Sequence, residues 1–252
     1  MFATAVARCS VIETLFFDGD QTLWDFDGLM RRTLRATLAE LRGLRPGSAT
    51  DGLDVESMIA DRQAVGAEPH RREATMEQLR LAAFRRTLAR LGLHDDELAE
   101  HLQAFYLERR FGEVDLYPDT LSSLTHLRTT YTLGLLSNGN SYPDRSGLAG
   151  LFSSVVFAQD HKVAKPERRL FDIAAEEIGS APDNIAMVGD SLVNDVTAAQ
   201  EAGWQGIWLN RDAKPCPDRH TPDVQILTLS ELPAALADLD ATATRRAASS
   251  TG

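Results

Sequence analysis

Short apolar runs that end in turn-forming residues recur at Ile12–Phe17, Thr132–Leu136, Ser154–Phe157, Ile185–Val188, Gly206–Leu209 and Val224–Leu227. Several are rich in β-branched residues and none alternates strictly, which is the pattern of strands buried on both faces of a parallel sheet. Helical spacing lies between them. Leu121, Leu124 and Leu127 step by three, Phe171, Ala174 and Ile178 by three and four, and Val196 and Ala199 precede Gly203, a helix stop. Strand and helix alternate from about residue 115 onward, predicting an α/β domain with a doubly wound parallel sheet.

The stretch 28–111 has a different rhythm. Met30, Leu34, Leu38 and Leu41 form one amphipathic stripe and Leu81, Phe84, Leu88 and Leu91 another, with a Gly/Pro/Ser-rich loop at 43–52 between helices and no strand candidate. An all-helical cap inserted after the first strand is the economical reading. The predicted organisation is an α/β core from 11–27 and 112–240, a helical cap over 28–111, and a small, polar tail at 241–252 expected to be disordered.

Composition narrows the function. The 252 residues carry a net charge of −11, a poor match to a nucleic-acid backbone, whose phosphates need a basic face. The cap itself is near neutral, with 14 arginines, no lysine and 13 acidic residues. No uncharged run reaches membrane-helix length, and the first ten residues lack the apolar core of a signal peptide. Cys9 and Cys216 make no disulfide framework and no metal pair. A cytoplasmic globular protein, monomeric or homodimeric, is expected.

Chemistry concentrates after the apolar runs, where open α/β sheets bind ligands. The first run leads into Asp18-Gly19-Asp20-Gln21-Thr22, the second into Ser137-Asn138-Gly139, and the fourth into Gly189-Asp190 with Asp195 shortly after. Lys165-Pro166 opens the helix that carries Phe171. Each fragment alone also reads as an ordinary turn. Together and in this order they resemble the haloacid dehalogenase (HAD) superfamily of aspartate-nucleophile hydrolases: D-x-D-x-T at Asp18, Asp20 and Thr22, a strand-end Ser at Ser137, the lysine at Lys165, and G-D-x-x-x-x-D at Gly189, Asp190 and Asp195. The resemblance spans about residues 11–235, helical insertion included.

The resemblance implies a Mg2+-dependent phosphatase that acts on a small phosphorylated metabolite, such as a nucleotide monophosphate or sugar phosphate. It makes Asp18 the nucleophile and Asp20 the general acid and base. Mg2+ would be held by Asp18, the Asp20 backbone carbonyl, Asp190 and Asp195, the last as ligand or as support. Lys165 would neutralise charge, and Ser137 with the N–H groups near Asn138 and Gly139 would hold phosphoryl oxygens. Dehalogenation expels halide without needing a proton, and the family's dehalogenases lack an acid where Asp20 stands. A mutase would need a further acid or base in the cap, with His70 an ambiguous candidate, and a non-catalytic binding protein would be expected to have lost one of these groups.

Two positions depart from the family's habit: Gly19 replaces a larger residue and Gln21 a Gly or Asp. Lys162, three residues before Lys165, reads as a solvated loop lysine. The cap arginines Arg31, Arg32, Arg35, Arg85, Arg86 and Arg90 read as solvated helix faces with local ion pairs, and His94 and His101 as structural. The 68–73 loop reads as surface or as a substrate contact. Trp24 is either a stacking surface for substrate or packing at a hinge, Trp204 and Trp208 belong in the core, and Tyr142 and Arg145 are loop residues or pocket lining.

Overall fold

A computed structural model describes residues 12–47, 50–68, 74–112 and 114–249. Every apolar run becomes a strand: β1 (Thr14–Phe17), β2 (Thr132–Ser137), β3 (Ser154–Phe157), β4 (Ile185–Gly189), β5 (Gln205–Leu209) and β6 (Val224–Ile226). They form one sheet in the order β3-β2-β1-β4-β5-β6, and every pairing is parallel. Phe17, the last residue of β1, stands opposite Leu135 of β2 and Val188 of β4. The ends of β1, β2 and β4 therefore come out side by side, with Asp18, Ser137 and Asp190 at or just beyond them. The chain winds outward from β1 to β3 and returns to β4, so β1 and β4 flank the topological switch point where such sheets bind ligands.

Four helices follow β1: α1 (Phe26–Leu44), α2 (Val55–Gly66), α3 (Met76–Arg90) and α4 (Asp96–Gly112). The rest are α5 (Thr120–Leu127), α6 (Ala158–His161), α7 (Arg168–Ile178), α8 (Ala198–Glu201) and α9 (Leu232–Ser249). Among the described residues no helix is long and apolar enough to cross a membrane. The chain divides into two compact units. Asp25–Asp115 and Asn140–Ser146 make the helical unit, and the remaining described residues make the α/β unit. The 28–111 insertion thus gains a few residues at each end, because Asp25 caps α1 by accepting from the Gly28 N–H at 2.8 Å. It also gains 140–146, which no hydrophobic period marks.

One side of the sheet buries Phe16, Leu136, Val156, Ile185 and Met187 against Leu170, Phe171, Ala198, Ala199 and Trp204. Trp204 stacks on Phe16 and meets Phe171 edge-on, both at 5.2 Å between ring centroids, a geometry aromatic pairs prefer. Of the α5 stripe, Leu124 and Leu127 are buried while Leu121 is exposed. The tail expected to be disordered from residue 241 instead continues α9 to Ser249. Its alanines and arginines are strong helix formers, and composition alone registered only their polarity or small size.

The helical unit packs Met30, Leu34, Leu38 and Leu41 of α1 against Met58 and Ile59 of α2, Phe84 and Leu88 of α3, and Leu98, Leu102 and Tyr106 of α4. Arg31 pairs with Glu56, Arg32 with Asp115 and Arg85 with Asp96, all on the surface, while Arg35 is exposed. One acid is different. Asp61 of α2 is buried and accepts from Thr87 Oγ1 at 2.9 Å, Arg86 Nε at 3.2 Å and Arg90 Nη1 at 3.1 Å. It ties α2 to α3, and a buried carboxylate with three donors is costly to lose. Asp61→Ala should lower stability by about 1–3 kcal/mol, read as a lower midpoint in urea denaturation. Adding Thr87→Val should cost less than it does alone, since the hydroxyl has already lost its acceptor.

Candidate active site

Asp18 leaves β1 with its backbone N–H bonded to the Val188 carbonyl of β4 at 2.9 Å, so strand pairing itself aims the side chain at the β4 end. There it meets Lys165. The Lys165 ammonium, 4% exposed, donates to Asp18 Oδ1 at 2.7 Å, Asp195 Oδ1 at 2.6 Å and the Leu136 carbonyl at 2.9 Å. The lysine backbone is clipped in place by Asn138, whose Oδ1 accepts from the Lys165 N–H at 2.8 Å and whose Nδ2 donates to the Lys165 carbonyl at 2.9 Å. Lys162 is exposed. Asp195 also accepts from the Ser191 N–H at 3.0 Å, so both of its oxygens are held. It reaches this place because the residue behind it is Gly189: a Cβ there would collide with the Asp195 carboxylate.

Asp18, Asp190 and Asp195 each bring a carboxylate oxygen within 4.8 Å of the others, the one such acidic group among the described residues. Burial leads the electrostatics. It pushes the Asp18 carboxyl up to about 8, with Lys165 pulling the other way and Asp195 and Asp20 adding to the rise. Asp190 is raised to about 6, again by burial first and by Asp195 second. For Lys165, burial pulls the ammonium down, but Asp18 and Asp195 outweigh it and hold the charge more firmly than in water. One buried cation does not neutralise three clustered carboxylates. The remaining negative charge, offered on hard oxygens, suits a small divalent cation.

Asp20 is half-buried and its Oδ1 accepts from Trp24 Nε1 at 2.7 Å. Trp24 is 1% exposed, which decides its role: it is packing and an anchor, not an open stacking surface. Its ring fills the space a side chain at position 19 would need, which explains Gly19. Gln21 has φ +63°, a left-handed conformation that costs a non-glycine residue about 1–2 kcal/mol; this is why glycine is common there. Ser137 is buried, and its Oγ accepts from the Gly139 N–H at 3.1 Å. The Asp20 carboxylate lies against Gly139, where a Cβ would come within 2.7 Å of its Oδ2. The Asn138 side chain is taken up by Lys165, so only its backbone is left for a ligand.

The contacts of three supports escaped the sequence reading, which names Thr22 in a motif and Trp208 in the core and does not name Arg211. Thr22 Oγ1 accepts from the Asp190 N–H at 3.1 Å, and Trp208 Nε1 donates to the Asp190 carbonyl at 2.9 Å. Arg211 donates to the Thr22 carbonyl at 2.9 Å while gripping Asp119 at 3.0 and 3.1 Å and lying over the Tyr117 ring at 4.0 Å. Their partners are far away in sequence, and only the D-x-x-x-W spacing of Asp20 and Trp24 left a local trace. In the helical unit, His101 meets Glu40 at 2.8 Å and His94 is exposed before α4 begins. Tyr142 is exposed, with the Arg145 guanidinium 5.8 Å from its ring centroid and 5.1 Å from that of Phe111. His70 and the rest of the 69–73 loop lie outside the described residues.

A doubly wound sheet with this cluster at its switch point defines an α/β protein with an aspartate-centred site. Residues 12–203 match the haloacid dehalogenase-like hydrolase family, and the chain belongs to it. It is 34% identical over 155 residues to a phosphoserine phosphatase of Thermus thermophilus, covering 59% of this chain and 61% of that one. It is 28% identical to the 5-amino-6-(5-phospho-D-ribitylamino)uracil phosphatase YigB of Escherichia coli over 88% of this chain and 94% of that protein. Among solved structures, a 2-haloacid dehalogenase from Pseudomonas syringae superposes with a TM-score of 0.75 at 28% identity, covering 90% of this chain and 99% of that one.

The raised carboxyls set a pH dependence. Between about pH 4 and pH 8 the folded state binds more protons at Asp18 and Asp190 than the unfolded chain does. Their contribution is therefore full at low pH and is lost as pH rises through that window. In chelator, the stability of the protein relative to Asp18→Asn is expected to fall from pH 5.5 to pH 8, and a divalent cation is expected to restore more of it at pH 8. Denaturant titrations at the two pH values check this, and parallel pH profiles for both proteins would contradict it.

Proposed function

We propose that this chain is a Mg2+-dependent phosphatase that hydrolyses a small phosphorylated metabolite through a covalent aspartyl-phosphate on Asp18. The observation that carries this reading is the placement of Asp18 against the Lys165 ammonium and beside Asp190 and Asp195, with a second, separately anchored carboxylate at Asp20. The donor set fits the cation: three carboxylates within 4.8 Å, two of them destabilised as anions by burial. Asp18, Asp190 and the Asp20 backbone carbonyl would hold Mg2+, with Asp195 beside them, already engaged by Lys165 and Ser191. Bound there, Mg2+ supplies positive charge for the phosphoryl oxygens.

The rest is the work of the chain. An Asp18 carboxylate oxygen attacks phosphorus in line with the leaving oxygen, and the P–O bond to the leaving group breaks. Asp20 gives that oxygen its proton, so the leaving group departs as an alcohol. Ionised, Asp20 then takes a proton from water as the water attacks the aspartyl-phosphate, which frees Asp18 and inorganic phosphate. Lys165 offsets charge on Asp18 throughout, and Ser137 with nearby backbone N–H groups holds phosphoryl oxygens. Trp24 fixes the carboxylate of Asp20 by its indole N–H. An acid at this position is what separates the phosphatase reading from dehalogenation, because halide leaves without a proton. The curated relatives are phosphatases for phosphoserine and for a phosphorylated ribityl compound, which supports a small phosphorylated substrate.

Phosphate release from nucleotides, sugar phosphates and p-nitrophenyl phosphate, with Mg2+ and with chelator, tests the reading. Asp18→Asn is expected to lower kcat by about a thousandfold or more while the protein still folds; undiminished turnover would sink the proposal. Trp24→Phe keeps the apolar bulk and loses the hydrogen bond to Asp20. It should slow alkyl phosphates about tenfold and p-nitrophenyl phosphate much less, since nitrophenolate leaves without full protonation. Equal slowing of both esters would show that Trp24 does not act through the acid.

A further inference from the structure

The turn that carries Asp20 is held from outside as well as from within. Inside it, the Gly19 carbonyl accepts from the Leu23 N–H at 2.8 Å and the Trp24 carbonyl from the Gln21 N–H at 2.9 Å. Thr22 and Leu23 are fully buried, so their carbonyls need donors too. Those donors come from two other loops of the α/β unit. Arg211, just past β5, donates to the Thr22 carbonyl at 2.9 Å, and the Leu23 carbonyl accepts from Thr120 Oγ1 at 2.8 Å and the Tyr117 N–H at 3.1 Å. Gln21, left-handed at φ +63°, sits in the middle of this turn, and such a residue persists where its surroundings over-determine it.

One ion pair joins the outside donors into a single assembly. Asp119, between Tyr117 and Thr120, accepts from Arg211 Nη2 at 3.0 Å and Nη1 at 3.1 Å, and its Oδ2 also accepts from the Leu229 N–H at 2.8 Å. The guanidinium lies over the Tyr117 ring at 4.0 Å. Both side chains of the pair are largely out of water, at 17% and 14% exposure. Two parallel bonds fix the angle of a guanidinium as well as its distance, so the Nη2 that reaches Thr22 has little freedom. From the other side, Thr22 Oγ1 accepts from the Asp190 N–H at 3.1 Å. Thr22 is two residues past Asp20, and Trp24, whose indole N–H holds the Asp20 carboxylate, is two further on. Where this turn lies is therefore where Asp20 and its anchor lie.

We infer that Arg211 and Asp119 are positioning residues for the acid and base steps assigned to Asp20. Neither touches the substrate. Their pair holds the Thr22 carbonyl directly and the Leu23 carbonyl through the Tyr117–Thr120 loop, and so keeps Trp24 and the Asp20 carboxylate in line with the leaving oxygen of the phosphoester. The chemical consequence rests on the phosphatase reading; the restraint on the turn does not.

Arg211→Met and Asp119→Asn break the pair, while Arg211→Lys keeps a cation facing Asp119 without the fork that reaches Thr22. In the first arm, hydrogen exchange of the Trp24 and Trp204 indole N–H groups is followed by NMR, the signals being assigned with Trp24→Phe and Trp204→Phe. Trp204 lies in the core beside Phe16 and Phe171 and reports on the fold at large. In Arg211→Met the Trp24 indole should exchange about tenfold or more faster than in the wild type, and the Trp204 indole much less so; Arg211→Lys should fall between. In the second arm, kcat for glycerol 3-phosphate should drop about tenfold in Arg211→Met with little change in KM, and kcat for p-nitrophenyl phosphate should drop less. Asp119→Asn should follow the same direction. Adding Arg211→Met to Trp24→Phe should slow the alkyl ester little further, since both act through Asp20. Where Arg211→Met does not fold, Arg211→Lys and Asp119→Asn carry the same comparisons. Both indoles speeding up equally, in step with a lower melting point, would make the pair a structural one and overturn the inference. So would a loosened Trp24 with kcat unchanged, or equal slowing of the two esters. If the wild type hydrolyses no ester at all, the phosphatase reading fails alone, and the exchange arm still judges whether the pair holds the turn.

Discussion

A lysine ammonium buried to 4% exposure has to be surrounded by acceptors, because no water is left to solvate it. Lys165 finds three, and each comes from a different stretch of chain: Asp18 after β1, the Leu136 carbonyl in β2, and Asp195 beyond β4. The parallel pairing of β1 with both β2 and β4 is what brings these acceptors together. Removing any one leaves a charge stranded. Strand order, the glycine behind Asp195 and the Asn138 clip on the Lys165 backbone all serve the same constraint.

Around that ion cluster, groups outside it set direction. Trp24 orients Asp20, Trp208 and Thr22 hold the backbone on either side of Asp190, and Arg211 ties the Thr22 carbonyl to Asp119. None of these side chains needs to touch a substrate. They restrict carboxylates that repel one another, and preorganisation of that kind is what a site for charged transition states requires. The left-handed Gln21 and the bare Gly19 belong to the same economy of space: the turn that carries Asp20 is tight enough that one residue accepts strain and another gives up its side chain.

The helical unit shows how burial changes the meaning of one residue type. Arg31, Arg32 and Arg85 pair with acids on exposed faces, where ion pairs contribute about 0–1 kcal/mol. Arg86 and Arg90 meet a buried acid from the outside and knit α2 to α3. Arg80 has the same side chain buried without a carboxylate among the described residues, and it rests on the Asn140 amide instead.

Local pattern carried a great deal. The six strands could be read from apolar runs, because strands buried on both faces must be apolar throughout; the helical insertion could be read from its change of period. That Asp18, Lys165, Asp190 and Asp195 would come together was legible because strand ends are marked in sequence and the motifs keep a fixed order. What stayed illegible depended on distance through space. Arg211 lies 189 residues from Thr22 and Arg80 lies 60 from Asn140, and no periodicity links such pairs. Nor could a count of charges separate Arg80 from Arg85, since the difference between them is solvent. Sequence by itself determined which segments are strands and which groups carry charge, since both follow from local preference and chemistry; tertiary structure alone decided which of those charges lose water, because burial is a property of the packed chain.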